Sequence, residues 1–239
     1  MFRFALKLIV RVKLIVLAGL AGFAVGIYRQ LSEDQQTWGV VPAEAARDLP
    51  GDDLVAEAIV NETRGIDIDA PPEAVWPWLV QMGYGRGGWY SYDQIDMDGQ
   101  SADSILDEFG GLALGDQVPT HPGGGFEVKT LQPNEVLVLY LDTELVNATA
   151  EGEGTPVGLQ GAGAMGELAM SEFRASWAFI LEPAAGGRTR LIERLRLWTS
   201  DASAPQRVVM PMMGLGVFVM TRKHMLGLKQ RAEQATATG

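Results

Sequence analysis

The residue with the most constrained chemistry is a carboxylate, Glu193. In residues 188–199, Leu191, Glu193, Leu195 and Leu197 fall on one side of an alternating strand. Arg190, Ile192, Arg194, Arg196 and Trp198 fall on the other. If the leucine side faces the interior, Glu193 sits among apolar side chains while Arg194 and Arg196 face outward. A buried carboxylate has to be paired, hydrogen-bonded or protonated. That suits a polar anchor for a ligand headgroup or a general acid with a raised pKa. It equally suits an internal ion pair, for which Arg86 is a candidate partner.

The segment GYGRGGWYSYD, residues 83–93, is the most unusual loop. Its glycines admit backbone conformations that other residues avoid. It lacks the Lys-Ser/Thr ending and the strand-to-helix setting of a phosphate loop. As a cavity rim it would offer Trp89, Tyr90 and Tyr92 as apolar surface and Arg86 as a positive charge; it also fits a packed turn between helices. The acidic run Asp93, Asp96, Asp98 lacks the glycine and distal glutamate of a calcium loop. The chain has no cysteine and two histidines, His121 and His224. Disulfides, thiolate chemistry and histidine-rich metal clusters are thereby excluded. His121 reads as a surface residue in a turn, and no cofactor or metal is expected.

These residues need elements to hold them. Residues 64–69 alternate as the end of a strand that begins near residue 56. Pro71-Pro72-Glu73 then starts a helix, because proline lacks only an N–H that the first turn does not use and Glu73 suits the positive end of the dipole. Val75, Trp76, Leu79, Val80 and Met82 form its apolar face. Helical pieces are expected near residues 92–97 and 103–109. Strands follow at 117–120, 126–131 and 136–142, then a long loop over 146–170, then a hairpin of strands 171–182 and 188–199. Residues 205–234 read as a closing helix. Its stripe Val208, Met212, Leu215, Val219 and Leu226 would cover the sheet, although the first half is apolar nearly all round. Inner-face candidates on the sheet are Phe126, Val128, Leu137, Leu139, Trp177, Phe179, Leu181, Glu193 and Leu195. Strands flanked by helices argue an α+β layer fold.

The segments IDIDAPPEAVWPWLVQMG, GRGGWYSYD, LGDQVP, SWAFILEP and TRLIERLRLW, spread over residues 52–231, resemble the START-like, or SRPBCC, superfamily. That superfamily includes polyketide cyclases and one of the subunits of carbon monoxide dehydrogenase. The resemblance implies a helix-grip fold, a curved antiparallel sheet around a long C-terminal helix, holding a cavity between the two. It implies no reaction. The ligand-binding set drawn from it is Arg86, Trp89, Tyr92, Phe126, Leu139, Trp177, Phe179, Glu193, Leu195, Met212, Leu215 and Val219.

Residues 14–28 carry no charge and follow Arg3, Lys7, Arg11 and Lys13. Fifteen helical residues reach about 22 Å, short of a hydrocarbon core of roughly 30 Å; starting at residue 8 lengthens the span enough. The basic flank predicts a cytoplasmic N-terminus and a body on the extracytoplasmic side. An N-terminal transmembrane anchor over residues 1–30 is favoured over a signal peptide with Ala24-Val25-Gly26 at its cleavage site. Ala18, Gly22 and Gly26 would let another membrane helix pack closely. Residues 31–51 read as a polar linker with one short helix near 43–48, and Trp38 belongs either at the membrane interface or on the domain. Residues 52–235 form the domain itself.

Net charge is −11 and the pI about 4.6, which repels phosphate backbones and excludes nucleic acid as a partner. The reading that results is a membrane-anchored binder of a hydrophobic small molecule: a lipid, an isoprenoid or a quinone. The alternatives are an accessory subunit docked on a membrane protein complex, and a cyclase-like enzyme using Glu193.

Overall fold

The computed structural model describes residues 35–96, 99–121, 124–150, 172–200 and 204–238. The expected membrane span, its Ala18, Gly22 and Gly26 ladder and most of the expected loop over 146–170 lie outside the described residues, as does the side chain of Met212. Among the described residues no helix is long and apolar enough to cross a membrane.

The elements run α1 (Pro42–Ala46), β1 (Val60–Ile68), α2 (Pro72–Val80), α3 (Asp93–Asp96), β2 (Gln117–His121), β3 (Gly124–Gln132), β4 (Val136–Asp142), α4 (Thr143–Ala150), β5 (Phe173–Ala184), β6 (Arg188–Thr199) and α5 (Ala204–Thr238). The six strands form one curved antiparallel sheet in the order β1-β6-β5-β4-β3-β2. The long helix α5 lies along its inner face. This is the helix-grip arrangement, of α+β class.

Three expectations need correction. The first strand begins at Val60 rather than near residue 56, because Asp53–Val55 closes a tight helical turn against the sheet. The helix expected over 103–109 shrinks to the single turn Asp107–Phe109. The loop expected from residue 146 begins with the helical stretch α4, since Asp142 Oδ1 accepts from Leu145 N at 2.8 Å and caps it.

The main core lies between sheet, α2 and α5. It holds Ile68, Val75, Trp78, Leu79 and Met82 with Leu137, Leu139, Phe179, Leu191, Met225 and Leu228. Gly227 admits the close approach of α5 to the Tyr90 backbone, where any Cβ would collide.

A second, smaller core lies on the outer face, where Leu49 covers Val136, Val138, Ala178, Ile180 and Ile192. Residues 35–51, expected to belong to a tether, therefore form a strap. Arg194, expected to face outward, does point to the outer face but is 2% exposed. Its donors reach Thr63 Oγ1, Arg47 O, Asp52 Oδ2, Ala45 O and Glu44 O at 2.6–3.5 Å. Arg190 holds Glu44 and Gly39 O, and Arg196 holds Val55 O and Ala56 O. Composition showed a polar, proline-punctuated stretch. What holds it down is a row of guanidinium groups that collect its carbonyls.

Candidate functional site

β6 places Glu193 on the inner face, where it is 1% exposed. Trp177, from β5, donates its indole N–H to Glu193 Oε1 at 2.8 Å. The other oxygen, Oε2, is buried with no hydrogen-bond partner among the described residues. Burial pushes the carboxyl up to about 7, against the opposing pull of the Arg64 charge and the Trp177 hydrogen bond. At neutral pH Glu193 thus stands near half protonation and can donate as well as accept.

Arg86 is not its partner. That guanidinium is held by Val80 O at 3.0 Å and Phe109 O at 3.3 Å, and lies over the Phe109 ring. The cation whose charge acts on Glu193 is Arg64, its direct neighbour across the β1–β6 ladder. Arg64 is 1% exposed, hydrogen-bonds Glu62 on the same face of β1 and donates from Nε to Gln35 O at 3.1 Å.

A buried histidine stands in the same cluster. His224 on α5 is 2% exposed, with Nδ1 2.6 Å from Trp89 O. A carbonyl only accepts, so Nδ1 carries the proton. Burial pushes the imidazole down to about 4, so the ring is neutral and Nε2 is a bare acceptor. Nε2, too, has no partner among the described residues. Its ring centroid lies 5.9 Å from Trp177 and 5.8 Å from Phe179. Trp89 stacks on Trp177 at 5.5 Å, and Phe126 completes the wall at 5.7 Å from Trp177.

The GYGRGGWYSYD segment brings Trp89 here through a tight turn. Gly83 and Gly88 bridge to each other, and Gly88 adopts φ 87 against Ser101, a conformation that favours glycine. Tyr90 turns inward and bonds Trp78 O, whereas Tyr92 is 38% exposed and away from the cluster.

Of the residues expected to line the site, Trp89, Phe126, Leu139, Trp177, Phe179 and Glu193 come together, with half-buried Leu195 next along β6. Leu215 and Val219 do not: they are 49% and 43% exposed, on the outward side of α5. The stripe that α5 turns to the sheet is Thr221, His224, Met225, Leu228 and Ala232. Sequence reasoning missed His224, Arg64 and Glu62. The one signal for His224 was its spacing with Met225 and Leu228, which places it on an apolar helical face.

Val217 lies two turns before His224 on the same helix face, yet is 37% exposed. Buried charges stand nearby: a side chain at Gly214 would meet Glu62 Oε1 at 4.0 Å, and Arg64 lies over the Phe218 ring at 5.5 Å. A separate polar groove of about 260 Å³ lies between α5 and the segment around Tyr90, Ser101 and Asp103, with Arg231 already paired to Asp103.

No protein-family model matches the chain, and no curated protein matches it. Several solved structures are similar at low identity. A conserved protein from Geobacillus kaustophilus shares 13% identity over 73% of this chain and 96% of its own, with a TM-score of 0.40. Protein MLL2253 from Mesorhizobium loti shares 18% over 72% and 98%, at 0.36. The Aha1 dimer from Colwellia psychrerythraea shares 17% over 72% and 98%, at 0.33. The helix-grip assignment rests on the strand order and the position of α5 rather than on these likenesses.

Proposed function

We propose that this chain is a membrane-tethered binder of a small hydrophobic molecule with a hydroxyl or carbonyl head, such as a lipid, an isoprenoid or a quinone. One observation carries the reading. Inside the grip, Glu193 Oε2 and His224 Nε2 are both buried without partners among the described residues, on opposite elements around one tryptophan. Buried polar atoms are mostly satisfied, and of the unpartnered ones among the described residues these two share one aromatic wall, which suits a polar group from outside the chain. Protonated Glu193 donates to a carbonyl, and His224 Nε2 accepts from a hydroxyl. Trp89, Phe126 and Trp177 supply the apolar contact, and the molecule enters past Val217. The uncharged residues 14–28 supply the tether.

Full-length protein titrated with a short-chain quinone tests this, because Trp89 and Trp177 line the site and their fluorescence is quenched on contact. Saturable quenching is expected. Leu195→Trp, which adds bulk to a half-buried inner-face position, should keep the fold and weaken binding at least about tenfold, a change of roughly 1.4 kcal/mol. Unsaturable quenching in both proteins would sink the binder reading and leave the accessory-subunit reading, which predicts no ligand.

A further inference from the structure

The outward face of α5 carries Leu215, Val219 and Arg222 at the spacing of one helical stripe, with Lys223 beside it. Leu215 and Val219 are exposed because the sheet lies on the opposite side of the helix. The N-terminal part of the chain arrives at this same place. Trp38 sits edge-on to Phe218 at 6.4 Å, and Arg222 lies over the Trp38 ring at 5.1 Å. Gln35, three residues earlier, is pinned by the buried Arg64.

We propose that this stripe rests on the surface of the bilayer that holds residues 14–28. The proposal rests on the membrane-tether reading above. Seven peptide units join Tyr28 to Gln35, so the membrane lies within about 25 Å of the first pinned residue. Charge selects the face. The chain is acidic overall, at −11, and an anionic lipid surface repels most of it. Arg222 and Lys223 flank the exposed leucine and valine, which is the pattern of a helix lying in a membrane interface. Trp38 beside them is a residue type that collects at that depth. Val217 lies on the other, inward side of the same stretch of helix, so the stripe on the bilayer and the approach to the site are separate faces of α5.

The cysteine-free chain makes the test direct. Val219→Cys and Ala185→Cys each give one attachment point for a nitroxide label. Ala185 lies in the β5–β6 turn, at the end of α5 where Lys229 Nζ reaches Asp67 O. The full-length variants are reconstituted in vesicles of phosphatidylcholine and phosphatidylglycerol. The Val219 label should be several-fold less accessible to an aqueous nickel chelate than the Ala185 label, and more accessible to oxygen. A Val219 label as water-exposed as the Ala185 label, in protein that floats with the vesicles, would overturn the orientation and leave the tether standing. Protein that does not float removes the tether reading and this proposal together. Val219→Cys is conservative and exposed, and retained binding of the short-chain quinone reports that the domain is intact.

Discussion

Glu193 and Arg194 are neighbours in one strand, both almost fully buried, and they belong to opposite faces of the sheet. On the outer face Arg194 spends its five donors on Thr63, Asp52 and three backbone carbonyls of the strap. On the inner face Glu193 has one oxygen bonded and one orphaned among the described residues, and His224 repeats the pattern with its two nitrogens. The fully used donors of Arg194 lock the strap in place, although Asp52 Oδ1 and Arg47 Nε within it have no hydrogen-bond partner among the described residues. Half-saturated buried polarity is unfinished until something else arrives. The two faces of one sheet thus separate architecture from site.

The largest effect that would break this contrast is at Arg194. Arg194→Ala removes the close cation from Asp52, leaving it Leu49 N and the more distant Arg196, and strands the strap carbonyls; it should cost about 3–5 kcal/mol, read as a lower urea midpoint. A loss below about 1 kcal/mol would mean that the strap is held by its apolar contacts alone.

The inner face should show itself as opposed pH dependences. Glu193 titrates near 7 when folded against 4.5 ordinarily, so the folded state holds its proton longer; its contribution is most favourable below 4.5 and is lost as pH rises through 7. His224 titrates near 4 when folded against 6.5 ordinarily, so its contribution is present above 6.5 and is lost as pH falls through 4. Between 4.5 and 6.5 the two slopes offset each other. Glu193→Gln retains an acceptor for Trp177 and removes one slope. Its stability should therefore rise by about 3 kcal/mol from pH 4 to 6.5 where the parent stays nearly flat. Parallel parent and mutant profiles would show that Glu193 is not titrating in the interior.

The smallest expected effect is at the seam between the faces. Trp38→Ala removes the contacts with Phe218 and Arg222, and should cost about 1–2 kcal/mol as a modest fall in Tm. No change in Tm would mean that the seam is held by Arg64 and Gln35 without the ring.

Two strands were legible for different reasons: Val136–Asp142 as an apolar run after the Pro133-Asn134 turn, and Arg188–Thr199 from its period-two alternation, each with the bounds expected. The aromatic wall was legible from alternation too, Trp177 and Phe179 sharing a face with Leu181. The stripe of α5 was not. Its first half is apolar nearly all round, so hydrophobic spacing cannot choose a face there, and the choice falls to polar residues. Thr221 and His224 go inward, and Leu215 and Val219 are left outside. The strap was hidden as well, because backbone carbonyls carry no side-chain signature and only the folded sheet lines up Arg190, Arg194 and Arg196 to collect them.

From sequence alone came the α+β class, the inward register of Glu193 and the exclusion of disulfide, thiolate and histidine-cluster chemistry. All of these follow from local periodicity and composition. Tertiary structure decided which cation stands opposite Glu193, that His224 joins it, and that the polar segment before β1 is part of the domain. Each depends on pairing across long loops: Arg64 meets Glu193 through the β1–β6 ladder, and His224 reaches Trp89 O across 135 positions. Side-chain spacing records the period of one element and its inward face. It holds no record of which distant element that face will meet.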